Sequence, residues 1–393
     1  MFDELNACVI VRSDGILERY DADRVAAILA KLGSVEVAVD IQRCLDLGDF
    51  SSNRLLALSS YQGASGALQF MYVTPYIKDE TLKARALFGA FTYDEITLPV
   101  GLRTAYPTSY SRGVSLRQCT RLFDENPRLI ALFNDNILGQ IPDDYDFGFF
   151  FADKFVARYY DETLMAIDGL WAPAAFSVLR QASHSQLALA VSIWVYLHEY
   201  FHRESALPIA TFTQIKNSFL AGAFEELRVD LSVIVEDISD AVGPAMRELV
   251  FEYVLAERLI YYATVFEPKD DYDAVNSVVL GRHLIGHDIL TSDVVGRYQF
   301  DADAKGVRNV LRQMLNRMDR IDQRLSLQAD AMVDDLQLQK TMRGYLEDTM
   351  SLMCGACDRK SMRRDALHDA HAAQRQARLI SGSVQKRLLE RVV

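Results

Sequence analysis

The sequence predicts a mainly α protein: a small N-terminal α+β unit, then a helical unit, then long C-terminal amphipathic helices. Three observations carry this reading. Short β-rich runs separated by turn residues cluster in roughly the first hundred of 393 positions. From Leu116 onward helices dominate the apolar pattern. From Lys305 to about Ser351, Val307, Val310, Leu311, Met314, Leu315, Met318, Ile321 and Leu325 recur at spacings of three and four, with Arg and Asp on the other face. The corresponding units are 1–107, 108–300 and 301–393. Half of the residues are hydrophobic, enough for a sizeable core.

Taken in order, Ala7 to Arg12 is a short strand, Ser13-Asp14-Gly15 is turn chemistry, and Ile16 to Tyr20 is the return strand. Asp21 or Asp23 caps a helix from Arg24 to Leu32. Val35 to Val39, with its alternating valines, and Leu68 to Val73 read as further strands. Pro99, Gly101 and Pro107 break the chain and suggest the connection into the second unit. Asp143 to Phe151, acidic then aromatic, reads as a loop entering a buried element. Glu248 to Phe266 is helical, and Arg359 to Val393 is basic and reads as a solvated helix or tail.

The residues that suggest chemistry are Leu197-His198-Glu199-Tyr200-Phe201-His202, an H-E-x-x-H sequence closing an apolar run that begins near Leu187. Residues four apart on a helix share a face, so His198 and His202 can address one metal ion while Glu199 faces its open position. Zinc lowers the pKa of a bound water to roughly 7, and an adjacent carboxylate can take the proton released. The run is apolar nearly all round, which marks a buried helix whose histidine nitrogens need partners. Asn217 to Val235 is a second helix, with Glu226 and Asp230 four apart on one face. This pairing predicts Glu226 as third ligand and Asp230 as the carboxylate that orients a histidine ring. Glu225 is the rival ligand, but its i+4 neighbour is Val229, so it lacks that support and is placed with Asp230 behind the ligands. One zinc per chain is the expected cofactor.

At these residues a family resemblance enters. H-E-x-x-H followed by E-x-x-x-D on a second helix resembles the gluzincin metallopeptidases typified by thermolysin. The string Glu225-Glu226-Leu227-Arg228-Val229-Asp230 resembles the E-E-C-R-A-E/D element of the dipeptidyl-peptidase III family. The resemblance implies a zinc-metallopeptidase-like catalytic unit in which Glu226 is the metal ligand. The chain departs from the latter family in having one residue fewer between its metal histidines. Downstream, Gly281 to Asp288 holds His283 and His287, again four apart but with no glutamate between them. Hydrolysis creates an oxyanion that a histidine or tyrosine donor stabilises. The resemblance implies a histidine well downstream of Glu226 in this role, which points to His287, with His283 and Tyr262 in reserve.

Lys216 and Arg228 are candidates to bind a substrate carboxylate, or else ion-pair partners. Cys354 and Cys357 form a lone C-x-x-C, a weak signal for zinc or redox chemistry. Cysteines at 8, 44, 119, 354 and 357 are odd in number and mostly dispersed, which fits reduced thiols in a cytoplasm. The N-terminus has no basic segment followed by an apolar run, and no stretch is apolar enough to span a bilayer. A net charge of −12 argues against a nucleic-acid surface. The expected partners are therefore a peptide or small amide substrate, no nucleic acid and no membrane, with a homodimer conceivable through the C-terminal helices. The leading reading is a cytoplasmic zinc hydrolase acting on a peptide or peptide-like amide. The alternatives are a zinc enzyme of the same scaffold turned to a small-molecule biosynthetic step, or a non-catalytic helical interaction protein.

Overall fold

The computed structural model describes residues 2–32, 34–56, 58, 69–73, 85–107, 111–126, 129–139, 148–208, 212–216, 218–327, 336–354 and 367–376. The chain divides into two compact units, Met1–Thr97 with Tyr110–Phe155, and Leu98–Ser109 with Val156–Val393.

The first unit is a mixed sheet with helices that include α1 (Phe2–Cys8), α2 (Ala22–Leu29) and α3 (Val35–Leu47). Its strands are β1 (Val9–Arg12), β2 (Leu17–Tyr20), β3 (Gln69–Val73), β4 (Arg85–Glu95), β5 (Ser111–Cys119), β6 (Ala131–Phe133) and β7 (Gly148–Phe151). They lie in the order β2-β1-β4-β5-β7-β6, with β3 also on β4, and only the β5–β7 pairing is parallel. The expected β1–β2 hairpin is present, with Val9 opposite Tyr20. The strand expected at Val35–Val39 is instead the first turn of α3. Ser34 accepts a bond from the Val37 amide, Gly48 ends the helix in the left-handed region (φ 67°), and Val37, Ile41, Cys44 and Leu45 are buried at three-to-four spacing. The longer 3.6-residue pattern outweighs three alternating valines.

The boundary expected at 107 also moves. Strands β5, β6 and β7 lie beyond it yet complete the sheet, because Phe149 and Phe151 of β7 pack edge-on against Phe91 of β4, with ring centroids 5.7 and 5.6 Å apart. Phe123 packs on the same ring at 4.9 Å. Its ring lies 2.7 Å from where a Cβ would stand on Gly89, so that position of β4 admits only glycine. Phe149 and Phe151 are thus core residues of the sheet, as expected of a buried element; Asp143 to Phe147 lie outside the described residues.

The second unit is built around α4 (His184–Arg203) and α5 (Phe219–Val235), joined to α6 (Pro244–Ala256), α7 (Tyr272–Gly286), α8 (Ala304–Ser326) and α9 (Leu336–Cys354). Helix α4 starts at a capping box. Ser183 accepts from the Gln186 amide, and the Gln186 side chain accepts from the Ser183 amide. Ser218 caps α5 in the same manner through the Ala221 amide. From Leu220 to Val235 only Gly222 and Glu226 of α5 are not buried, so this helix is the centre of its unit and other helices must cover it on every side. Helices α4, α6, α7, α8 and α9 do so. The segment expected as a separate C-terminal region, 301–393, therefore belongs to the same body as the motif helices. Within the basic segment beyond Arg359, residues 367–376 are helical and buried at Leu367, His368 and His371 rather than solvated, and Trp171 donates to His371 at 3.0 Å. Helix α6 runs into a π-helical turn, Glu257–Tyr261, before Tyr262–Val265. Among the described residues no helix is long and apolar enough to cross a membrane.

Candidate metal centre

His198 and His202 stand on successive turns of α4 and are both buried. Their rings meet edge-on, with Nε2 atoms 3.0 Å apart. Glu226 of α5 reaches both: Oε2 lies 3.2 Å from His198 Nε2 and Oε1 lies 3.5 Å from His202 Nε2. The ligand atoms of these three residues all lie within 4.8 Å of one another, the one such group of three among the described residues.

What sits behind the rings decides what the front can hold. His198 Nδ1 is 2.8 Å from Asp230 Oδ1, and His202 Nδ1 is 3.1 Å from Glu225 Oε1. A neutral imidazole has one N–H. Donated backward to a carboxylate, it leaves each Nε2 as a bare lone pair facing the other and facing the Glu226 carboxylate. Three acceptors aimed at one point in a buried site repel one another unless a cation, a proton or a metal ion, lies between them. Four-coordinate zinc with bonds of 2.0–2.2 Å separates its ligand atoms by about 3.3–3.6 Å, and the closest approaches here, 3.0, 3.2 and 3.5 Å, lie within or just below that spacing. The residues fit a metal.

The fold resembles that of DPP III from Caldithrix abyssi. The likeness covers 93% of this chain and 72% of that one, with a TM-score of 0.57 at 12% identity. Dipeptidyl-peptidase III from Corallococcus sp. strain EGB aligns over 84% and 68% of the two chains, with a TM-score of 0.43 at 11% identity. No protein-family model and no curated protein matches the sequence.

The electrostatics are built in layers. Burial pushes the Asp230 carboxyl up, but Arg258 and His198 outweigh it and hold it at about 2. Burial likewise opposes ionisation of Glu225, yet Arg228, the bond to His202 and Lys216 hold it well below its ordinary value. Burial disfavours a charged His198, but Asp230 and Glu226 raise its pKa well above the usual imidazole value, so the site favours positive charge. Burial also opposes charge on Glu226, and His202, His198 and Arg258 keep it low.

Sequence reasoning placed His198, His202, Glu226 and Asp230 together, and the structure brings them together. Glu225, weighed as a rival ligand, stands behind the His202 ring as a supporting carboxylate. Its Oε2 takes Lys216 Nζ at 2.6 Å, and both oxygens take the Arg228 guanidinium at 2.8–3.1 Å. Lys216 and Arg228 are therefore not poised for a substrate: both are buried, Lys216 bridges Glu225 and Asp322 of α8, and Arg228 also donates to the Phe201 carbonyl. Glu199 is buried beside His198 on α4.

The contacts made by the expected oxyanion donors are to other groups than His198, His202 and Glu226. At the start of α7, the Asp273 and Glu226 carboxylates push the Tyr272 phenol up. At 1.5 Å per residue, His283 lies about 15 Å and His287 about 21 Å further along. His283 Nε2 turns to the Val310 carbonyl of α8 at 3.3 Å, and exposed His287 bonds the His283 carbonyl at 2.8 Å. Tyr262 packs its ring over Arg258, centroid to guanidinium 4.8 Å, one layer behind Asp230. Three participants escaped the sequence reading. Trp194 donates to Asp230 at 2.8 Å, Arg258 pairs with Asp230 and Asp273, and Asp273 and Glu226 push the Tyr272 phenol up. Trp194 was findable, since it lies one turn before His198; Arg258 and Tyr272 come from other helices and carry no local signal. Cys357 lies outside the described residues, so the C-x-x-C pair is not placed.

Proposed function

We propose that this chain is a zinc-dependent hydrolase of a peptide or peptide-like amide bond. His198, His202 and Glu226 hold one zinc ion and Glu199 is the general base. The observation that carries this reading is the convergence of two imidazole lone pairs and a carboxylate at 3.0–3.5 Å, each ring backed by its own carboxylate. Zinc at such a site supplies Lewis acidity, polarising a carbonyl and lowering the pKa of water to about 7. Asp230 and Glu225 fix each imidazole in the Nδ1–H tautomer, so both rings point the nitrogen that can bind a metal. Glu199, next to His198 on the same turn, accepts the proton of the attacking water and returns it to the leaving amine. The likeness in fold to a dipeptidyl-peptidase III favours a peptide as the substrate.

Metal analysis and a peptide panel test the proposal together. About one zinc per chain is expected after dialysis, lost in the His198→Ala/His202→Ala double variant, with chelator-sensitive cleavage of at least one peptide. Absence of stoichiometric zinc overturns the site. Zinc binding without cleavage of any peptide or simple amide overturns the hydrolase.

A further inference from the structure

Asp230 is usually the end of the account for a histidine-backing carboxylate, but here it is held in turn. Its Oδ1 accepts from Trp194 Nε1 and His198 Nδ1, both at 2.8 Å, and its Oδ2 is paired with Arg258 Nε. The other arm of the guanidinium is paired with Asp273 of α7, and its face lies against the Tyr262 ring at 4.8 Å. Every one of these groups except Asp273 is buried. Arg258 is delivered from a π-helical turn, Glu257–Tyr261, and such turns occur mostly as single bulges, frequently at functional sites. Adjacent Glu257 meanwhile pairs with buried Arg158 at 2.8 Å. Two neighbouring residues of one helix thus enter two separate buried ion pairs, one of which ends on the metal site.

We propose that Arg258 is a positioning residue for the metal centre, acting through Asp230 to fix the His198 ring. This rests on the reading of His198, His202 and Glu226 as a metal site. The reasoning is geometric. An aspartate carboxylate, carried on two rotatable bonds, can swing, and an imidazole that follows it moves its Nε2 off the point shared with His202 and Glu226. Two hydrogen bonds and the Arg258 ion pair on Asp230 stop the swing, and Asp273 and Tyr262 hold the guanidinium that comes from α6's continuation. His202 has an equivalent on the other side of the site, since Lys216 and Arg228 lock Glu225. Arginine suits the task because its planar fork binds two carboxylates at fixed angles, whereas an ammonium does not fix direction.

The test is zinc affinity, read by competition with a chromophoric chelator, in wild type, Arg258→Met, Arg258→Lys, Asp230→Asn and the Arg258→Lys/Asp230→Asn double variant. Melting of the metal-free proteins is followed in parallel. Folded Arg258→Met should bind zinc about 10 to 100-fold more weakly, the loss typical of an outer-shell partner. Arg258→Lys, which keeps the charge and loses the fork, should lose several-fold and shift the visible spectrum of the cobalt-substituted protein. In the Asp230→Asn background the lysine change should add nothing, because the route runs through Asp230. Zinc affinity of Arg258→Lys within twofold of wild type, or a loss that persists undiminished without the Asp230 carboxylate, overturns the inference; the lysine variant decides the matter if the methionine variant does not fold. A wild-type protein that binds no zinc would instead overturn the metal site itself.

Discussion

Lys216→Met is the substitution whose cost the structure defines best. The lysine is fully buried, with Nζ 2.6 Å from Glu225 and 3.1 Å from Asp322, both carboxylates also buried. Methionine fills much of the same space, so the change removes charge rather than volume. Glu225 retains the Arg228 fork. Asp322 keeps the Leu207 amide at 3.1 Å but loses its buried ion-pair partner. Removing one partner of such a pair costs about 3–5 kcal/mol. For a body of about 250 residues an unfolding entropy of ~2.1 cal/mol/K per residue gives ~0.5 kcal/mol/K, so the melting temperature should fall by about 6–10 °C. Replacing Asp322 by Leu in the same chain should recover most of the loss, since an apolar pair of similar size tolerates burial. Zinc affinity should change less than about 10-fold, because His202 keeps a carboxylate that Arg228 still holds. Circular dichroism melts of the metal-free proteins measure the first effect, and chelator competition the second. A melting temperature within 2 °C of wild type (about 1 kcal/mol at this size) would refute the buried ion-pair reasoning.

Other outcomes follow from the same geometry. Glu199→Gln should keep zinc and stability while lowering kcat by more than about 100-fold, because it preserves shape and removes the base; single-turnover assays with retained activity would assign the proton transfer elsewhere. His287→Ala should leave zinc content unchanged and kcat within about threefold of wild type, since the ring lies at the far end of α7; a large specific loss of kcat would restore the oxyanion role that its separation from Glu226 suggested. Burial raises the carboxyl of Glu252, which accepts the Leu179 amide at 2.7 Å, to about 7. The folded state therefore holds this proton more tightly than the unfolded chain does. The associated stability is fully present below the unfolded value of about 4.3 and is lost as pH rises toward 7. Denaturant unfolding at pH 5 and pH 8 should show a smaller difference for Glu252→Gln than for wild type; an equal difference would place the titration elsewhere.

The H-E-x-x-H and E-x-x-x-D spacings were enough to put His198 on one face with His202 and Glu226 on one face with Asp230, because a helix converts a separation of four into a shared face without help from the rest of the chain. The caps and apolar periods of α4, α5 and α8 were legible for the same reason. Where competing local patterns overlapped, as in the valines of α3, the longer period decided the element. What lay beyond local geometry needed the tertiary structure. The strands of β5 to β7 carry no signal of pairing across the proline-rich break, so the unit boundary could not be read at 107. The difference between Glu225 and Glu226 is an angle of rotation about α5, set by which neighbours cover that helix. Arg258 reaches Asp230 through a π-helical turn, and exposed His287 bonds back to the His283 carbonyl of its own helix. Sequence periodicity fixes which residues share a face of one helix; the packing of helices against one another decides which faces meet, and a metal centre made from two helices and braced from two more depends on both.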